Sequence, residues 1–343
     1  MTTALTDVVV GLAALVVLLN LVIVAIRIAI TRRQRRESRL RPLAELGIAA
    51  FLAGGPAAPQ APQAASDPER TVMLAVAMEA LTDLLGTERA RLVTFLEEHG
   101  YVAEAIRGLS ARRRMARRQA ADTLAAIATS AAVPALTAGL ADHDARVRIT
   151  CAGTLAEIGG QDVIPAIVAT AERDVAVDPG GVTAVVLALG MHRPAALTAL
   201  FARDTAPAVR IIAITVAGEL RLSQHAALLQ ACLADGDAAA SRAARGLGLI
   251  GEVQAVGALL ELSCDTSRAP SARAAAANAL GLLGDVSALP ALEAQLLEED
   301  WPLRAAAAQA LSRLGEPGIA ALRKAVDSDC TSASELAEAA LQP

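Results

Sequence analysis

From about residue 112 to residue 329 the chain repeats itself at a period near 31 residues. Arg117, Arg148, Arg210, Arg273 and Arg304 fall into one register, and Pro179 and Ala240 fill the two slots without an arginine. Successive steps are 31, 31, 31, 30, 33 and 31 residues. Seven positions after each marker stands Leu124, Leu155, Val186, Ala217, Leu247, Leu280 or Leu311. Eleven after it stands Ala128, Gly159, Gly190, Arg221, Gly251, Gly284 or Gly315. A fixed period of this length is the signature of a solenoid, because a single unit can bury its apolar face only on its neighbours.

The sixth unit shows what repeats. Pro270 and Ser271 open it, and Ala272–Leu283 has the composition of a helix. Proline is tolerated in the first turn, where its missing N–H has no intrahelical partner. Gly284 ends the helix, since glycine enters the left-handed region freely. Asp285 and Ser287 offer capping groups, and Pro290 starts a second helix over Ala291–Glu298. Each unit therefore reads as a helical hairpin. With three Phe, one Tyr and one Trp in 343 residues, the core must be aliphatic and thin, and repetition must supply the burial. Alanine runs such as Ala274–Ala277 and Ala305–Ala308 favour helix and let axes approach closely.

The runs Arg148-Ile-Thr-Cys-Ala-Gly-Thr-Leu-Ala-Glu-Ile-Gly159 and Arg304-Ala-Ala-Ala-Ala-Gln-Ala-Leu-Ser-Arg-Leu-Gly315 are each followed by a second apolar helix and an acidic turn. They resemble the HEAT-repeat family in its short, PBS-lyase-type form known from bacterial repeat proteins. The resemblance spans about 210 residues. It implies an all-α, right-handed α-solenoid of about seven hairpins over residues 111–343. It also implies that the marker arginines bond to acidic turns at Asp144, Asp174, Asp204, Asp235, Asp265 and Asp300. The third unit departs from the pattern with Asp178-Pro-Gly-Gly181, and the fifth has Arg242 two residues late; both are expected to loosen the stack.

Val8–Ile30 is a run of 23 residues with one charge, Arg27. As a helix it would be about 34 Å long, enough for a bilayer core of about 30 Å. Thr31-Arg-Arg-Gln-Arg-Arg36 follows it, and only Asp7 precedes it. A cleaved signal peptide needs the charge on the other side and a shorter run. The expectation is a single transmembrane helix in the plasma membrane, N-terminus outside and repeats cytoplasmic. Arg32, Arg33, Arg35 and Arg36 would then meet anionic headgroups. Residues 1–41 hold seven arginines against Asp7 and Glu37, so the rest of the chain carries −10 of the formal total of −5. One lysine beside thirty arginines leads to the expectation of a GC-rich, bacterial genome. Residues 42–66, rich in Pro, Ala and Gly, are expected to be a linker. Residues 67–110 are expected to supply capping helices (Asp67–Leu85, Glu88–Glu98, Tyr101–Leu109), and Ser334–Leu341 a cap at the other end.

Nothing in the sequence assembles chemistry. Cys151, Cys232, Cys264 and Cys330 show no Cys-x-x-Cys spacing. His99, His143, His192 and His225 form no His-Glu or His-x-x-x-His pair, so the iron-binding HEAT-like pattern is absent. Gly246-Leu-Gly248-Leu-Ile-Gly251 matches a dinucleotide fingerprint literally, but no strand precedes it. No metal, cofactor or catalytic residue is expected. Arg112, Arg113, Arg114, Arg117 and Arg118 form a basic cluster without interleaved aromatics, which argues against nucleic acid.

The resemblance implies that the second helices line the concave face, with core positions at Leu136, Ile167, Leu197, Leu228, Leu259, Leu292 and Leu322. The next residue in each would edge a groove. Val168, Thr198, Leu229 and Leu260 would make it apolar, bounded by Glu293 and Arg323, and it would accept an amphipathic partner helix. The expected function is a membrane-anchored cytoplasmic scaffold for a protein partner. The alternatives are a bilin-lyase-like enzyme, or a lipid- or nucleic-acid-binding module using the arginine clusters.

Overall fold

The computed structural model describes residues 38–53, 67–202, 204–327 and 331–341, together with Arg27, Thr31 and Arg36. Every regular element among them is helical. The anchor Val8–Ile30 lies outside the described residues apart from Arg27, as do Arg32, Arg33, Arg35, Cys330 and residues 54–66 of the linker. Among the described residues no helix is long and apolar enough to cross a membrane. The chain divides into two compact units, Met1–Arg112 with Asp122–Thr129, and Arg113–Ala121 with Ser130–Pro343.

The first unit contains α1 (residues 38–52), α2 (Asp67–Asp83), α3 (Gly86–Glu98) and α4 (Tyr101–Leu109). The linker expected from residue 42 is thus helical as far as residue 52. Its residues explain the change: Leu43, Ala44, Glu45, Leu46, Ala49 and Ala50 all favour helix. Ala44 and Ile48, four apart, share the buried face. The Phe51 ring lies 5.0 Å from that of Phe95. Arg91 donates to the carbonyls of Phe51 and Leu52, both at 3.0 Å, closing the frayed end of α1. Arg41 binds Glu45 at 2.8 Å and also Glu79 on α2.

Helix α5 (Arg114–Ile127) is crossed by the boundary between the units. In the second unit, α7 (Ala145–Ile158), α9 (Pro179–His192), α10 (Pro207–Glu219), α12 (Asp237–Ile250), α14 (Pro270–Leu283) and α16 (Trp301–Arg313) each pack on the next. They form one layer of first helices. The second helices are α6 (Val133–Gly139), α8 (Ile164–Asp174), a 3-10 segment (Pro194–Phe201), α11 (Ala226–Ala231), α13 (Val256–Cys264), α15 (Leu289–Gln295) and α17 (Glu316–Val326). Helix α18 (Thr331–Leu341) lies against α16 and α17. The expected hairpins are present, with shifted ends. In the sixth repeat a 3-10 turn at Val286–Ala288 starts the second helix two residues early, at Leu289. There Asp285 accepts the amide of Ser287 at 2.8 Å.

The core between the layers is aliphatic, with Leu155, Ile167, Leu189, Leu197, Ile214 and Leu229 fully buried. The slot eleven residues after the marker has a common backbone state in five of the seven repeats. Gly251, Gly284 and Gly315 adopt positive φ there, and so do Ala128 (52°) and Arg221 (51°). The turn geometry is kept even where a side chain makes it costly, by roughly 1–2 kcal/mol. Gly159 departs, with φ of −70°, and so does Gly190, which is still inside α9. Small residues also set the spacing of the first helices. A Cβ on Gly218 would lie 2.5 Å from the Cα of Gly246, and one on Gly281 would lie 2.5 Å from the Cα of Ala310.

Candidate partner-binding surface

The acidic turns position the helices before they present any surface. Arg117 forks onto Asp142 at 2.7 and 3.0 Å, and Arg118 onto Asp144 at 2.9 and 2.8 Å. Arg148 binds Asp174 through two nitrogens, one at 2.8 Å, and Arg210 binds Asp235. Arg273, 5% exposed, donates to Glu298 at 2.7 Å and to the Ser263 carbonyl at 3.0 Å. Each arginine thus reaches an acid 25 or 26 residues on, at the end of its own hairpin. Forked, partly buried pairs of this kind are the stronger ion pairs and fix the turn between hairpins.

Asp174 and Asp235 are the expected partners; the others differ. Asp144 serves Arg118 and not the marker Arg117. It also caps α7, accepting the amides of Arg146 and Val147. Asp265 accepts Ser267 Oγ–H at 2.6 Å, and Arg304 donates to the carbonyls of Glu298 and Glu299. Asp204 is exposed, and Asp300 gives no side-chain cap to α16. The Arg118 guanidinium holds the Asp144 carboxyl below its ordinary range against the effect of burial. At Asp142 burial pushes upward, and Arg117 with the Asp144 amide brings the net shift down.

The fifth repeat leaves this ladder. Ala240 is fully buried at the marker position. Arg268 does the bonding instead, to Asp237 at 2.7 Å and the Asp235 carbonyl at 2.6 Å. Arg242 and Arg245 point outward from α12, and Arg245 meets Glu219 at 2.8 Å.

The proposed apolar groove on the second helices is not continuous. Val168 and Leu260 are half-buried, Thr198 is exposed, Glu293 is half-buried and Arg323 is exposed. Leu229 is fully buried and belongs to the core, whereas Leu228 is only half-buried. The reason is register. In five repeats the second helix begins 16 residues after the marker, and its fourth residue faces inward: Leu136, Ile167, Leu229, Leu259 and Leu292. Two adjacent leucines hid that register. The slot beside Leu229 holds Gln230, so polar side chains interrupt the strip between Val168 and Leu260.

His225 is the residue that sequence reasoning passed over. It is 1% exposed, stacks on Phe201 at 5.6 Å and 16°, and has Nε2 3.5 Å from Thr198 Oγ1. Its Nδ1 has no hydrogen-bond partner among the described residues, and burial pulls its pKa below 6.5. His143 and His192 are exposed; His143 lies between α6 and α7, whereas His192, expected in a turn, is the last residue of α9. Cys151 and Cys232 are buried and Cys264 is exposed; burial pushes the Cys151 thiol up to about 12, which leaves it inert. The Gly246, Gly248 pair has a packing role: Gly246 faces Gly218, and Gly248 faces Ala279. Among the described residues no cluster of His, Cys, Asp and Glu could hold a metal. Arg36, named for membrane contact, is exposed.

Against known proteins, the family model for HEAT repeats matches residues 102–179, 228–312 and 264–342, together just over half of the chain. No curated protein matches it. Among solved structures it is similar to human deoxyhypusine hydroxylase in complex with glycerol, at 18% identity over 70% of this chain and 95% of that one, with a TM-score of 0.32. It is similar to the CpcE and CpcF complex of phycocyanin lyase from Nostoc sp. PCC7120, at 21% identity over 70% and 86% of the two chains, with a TM-score of 0.30. It is also similar to the karyopherin Kap121p bound to the extreme C-terminus of the phosphatase Cdc14p, at 13% identity and a TM-score of 0.44. That match covers 89% of this chain and 45% of Kap121p.

Proposed function

The chain belongs to the HEAT-repeat family, and from that premise we propose that it is a scaffold, holding a protein partner on its stacked hairpins and tethered to a bilayer by Val8–Ile30. The observation that carries the scaffold is where the polar groups go. Arg117, Arg118, Arg148, Arg210 and Arg273 are engaged in building the stack, which leaves two extended helix faces as its outward product. A surface repeated over many hairpins suits a partner of macromolecular size, and in this reading the chain does no chemistry of its own. The tether rests on 23 residues of apolar sequence and the arginines after them, which set the repeats in the cytoplasm.

The test is fractionation of cells expressing the full chain and a chain lacking residues 1–41. The full chain should stay with membranes in alkaline carbonate, the truncated one should be released, and protease added to whole cells should leave the repeats intact. Release of the full chain by carbonate would remove the tether. Crosslinking that recovers no partner dependent on residues 130–341 would remove the scaffold.

A further inference from the structure

The outward face of the first helices carries an open cleft of about 450 Å³ across α10, α12 and α14. Alanines of α12 and α14 with Ile211 and Leu282 make it largely apolar. Ser241, Arg242, Arg245 and Asn278 are its polar lining, and no carboxylate of the described residues lines it. Arg242 is exposed and has no ion-pair partner among the described residues, its place in the ladder having passed to Arg268. Among the described residues Arg245 pairs only with the half-exposed Glu219. Among the described residues the buried Oδ1 of Asn278 has no donor. Asn278 also lines an adjoining cleft of about 710 Å³ beside Trp301, which is 62% exposed.

A fitting occupant therefore brings a carboxylate for Arg242, a second to compete with Glu219 for Arg245, and an apolar body for the alanine walls. An acidic peptide segment meets all three needs. Nucleic acid fits worse: no aromatic side chain lines the arginine-bearing cleft to stack a base, and the chain beyond residue 41 carries −10. We propose that this first-helix cleft receives an acidic segment of the partner protein, its carboxylates set on Arg242 and Arg245. The assignment rests on the scaffold reading and specifies the surface that reading leaves open.

The experiment places a photoreactive residue at exposed Ala238, or at Thr198 on the second-helix side, in the full chain, and sequences the crosslinked segments. Ala238 should capture an acidic segment. The Arg242→Glu, Arg245→Glu double variant should cut that yield at least tenfold, with an unchanged circular dichroism melt because both side chains are exposed. A synthetic peptide of the captured segment with its Glu and Asp exchanged for Lys should regain binding to the double variant. Glu219→Gln, which releases Arg245, should tighten the native peptide severalfold. Crosslinks confined to Thr198 would overturn the cleft and leave the scaffold standing; no protein crosslink from either position would overturn both. Capture of nucleic acid, lipid or a second copy of this chain at Ala238, or insensitivity to the charge reversals, would overturn the acidic occupant.

Discussion

The first-helix layer has two kinds of seam. Between α10 and α12, α12 and α14, and α14 and α16, backbones approach through small residues: Gly218 on Gly246, Gly248 on Ala279, Gly281 on Ala310. Between α7 and α9 the glycine has room, since a Cβ on Gly153 would meet nothing nearer than Val185 Cγ2 at 3.9 Å. Between α9 and α10, Gly190 faces the side chains of Leu220 and Val216. These two seams, set by side chains, border the region where the second helix of the third repeat is wholly 3-10 and where His225 is buried. The family's pattern matches on either side of residues 180–227. Backbone-to-backbone approach here occurs where small residues face one another across a crossing; where a glycine faces a branched side chain, the side chain sets the spacing.

That contrast can be broken at several points. The largest effect is expected at the core register. Leu229→Asp puts a charge at a fully buried site and should cost more than about 4 kcal/mol, enough to unfold the repeats. Leu260→Asp, half-buried in the next repeat, should cost under about 2 kcal/mol. Equal losses in urea titrations would mean that the second-helix registers are alike after all. Next come the seams. Gly281→Ala should destabilise by about 1–3 kcal/mol, because its Cβ must displace α16. Gly153→Ala should stabilise by up to about 1 kcal/mol, because helix propensity gains and nothing is displaced. The same sign for both would erase the distinction between seams.

Smaller effects sharpen the picture. Arg221→Gly should raise stability by roughly 0.5–1 kcal/mol, the relief of positive φ less the extra freedom of glycine in the unfolded chain. A lower midpoint would show that the Arg221 side chain makes a contact worth more than that relief. The smallest effect is a pH slope. His225 has a depressed pKa when folded, so above about 6.5 it is neutral in both states and the repeats have their full stability. As pH falls below that value the unfolded chain takes up the proton first and stability is lost. His225→Leu should flatten melting temperature against pH between 6.5 and 5; an unaltered slope would place the acid sensitivity elsewhere.

The repeat, its helical hairpins and its proline starts were legible because each is a local statement. A proline restricts φ, a glycine relaxes it, and a period of 31 recurs whatever the hairpins later touch. The arginine ladder was legible in kind but not in pairing: Asp142 and Asp144 stand two residues apart, and only the turn decides which faces Arg117. The groove failed at Leu228 and Leu229, where a one-residue difference in facing cannot be read from identical side chains.

By itself, then, the sequence determined the class of fold, the number and order of hairpins, and the segregation of its basic front from its acidic remainder. Those follow from propensity, period and charge, which act within a few residues or sum over many. The tertiary structure alone decided that Gly246 and Gly248 serve helix crossings, that His225 is sealed in, and that Arg242 and Arg245 share a cleft with Asn278. Each depends on distances between residues roughly one repeat apart, and such distances exist only once neighbouring hairpins have packed.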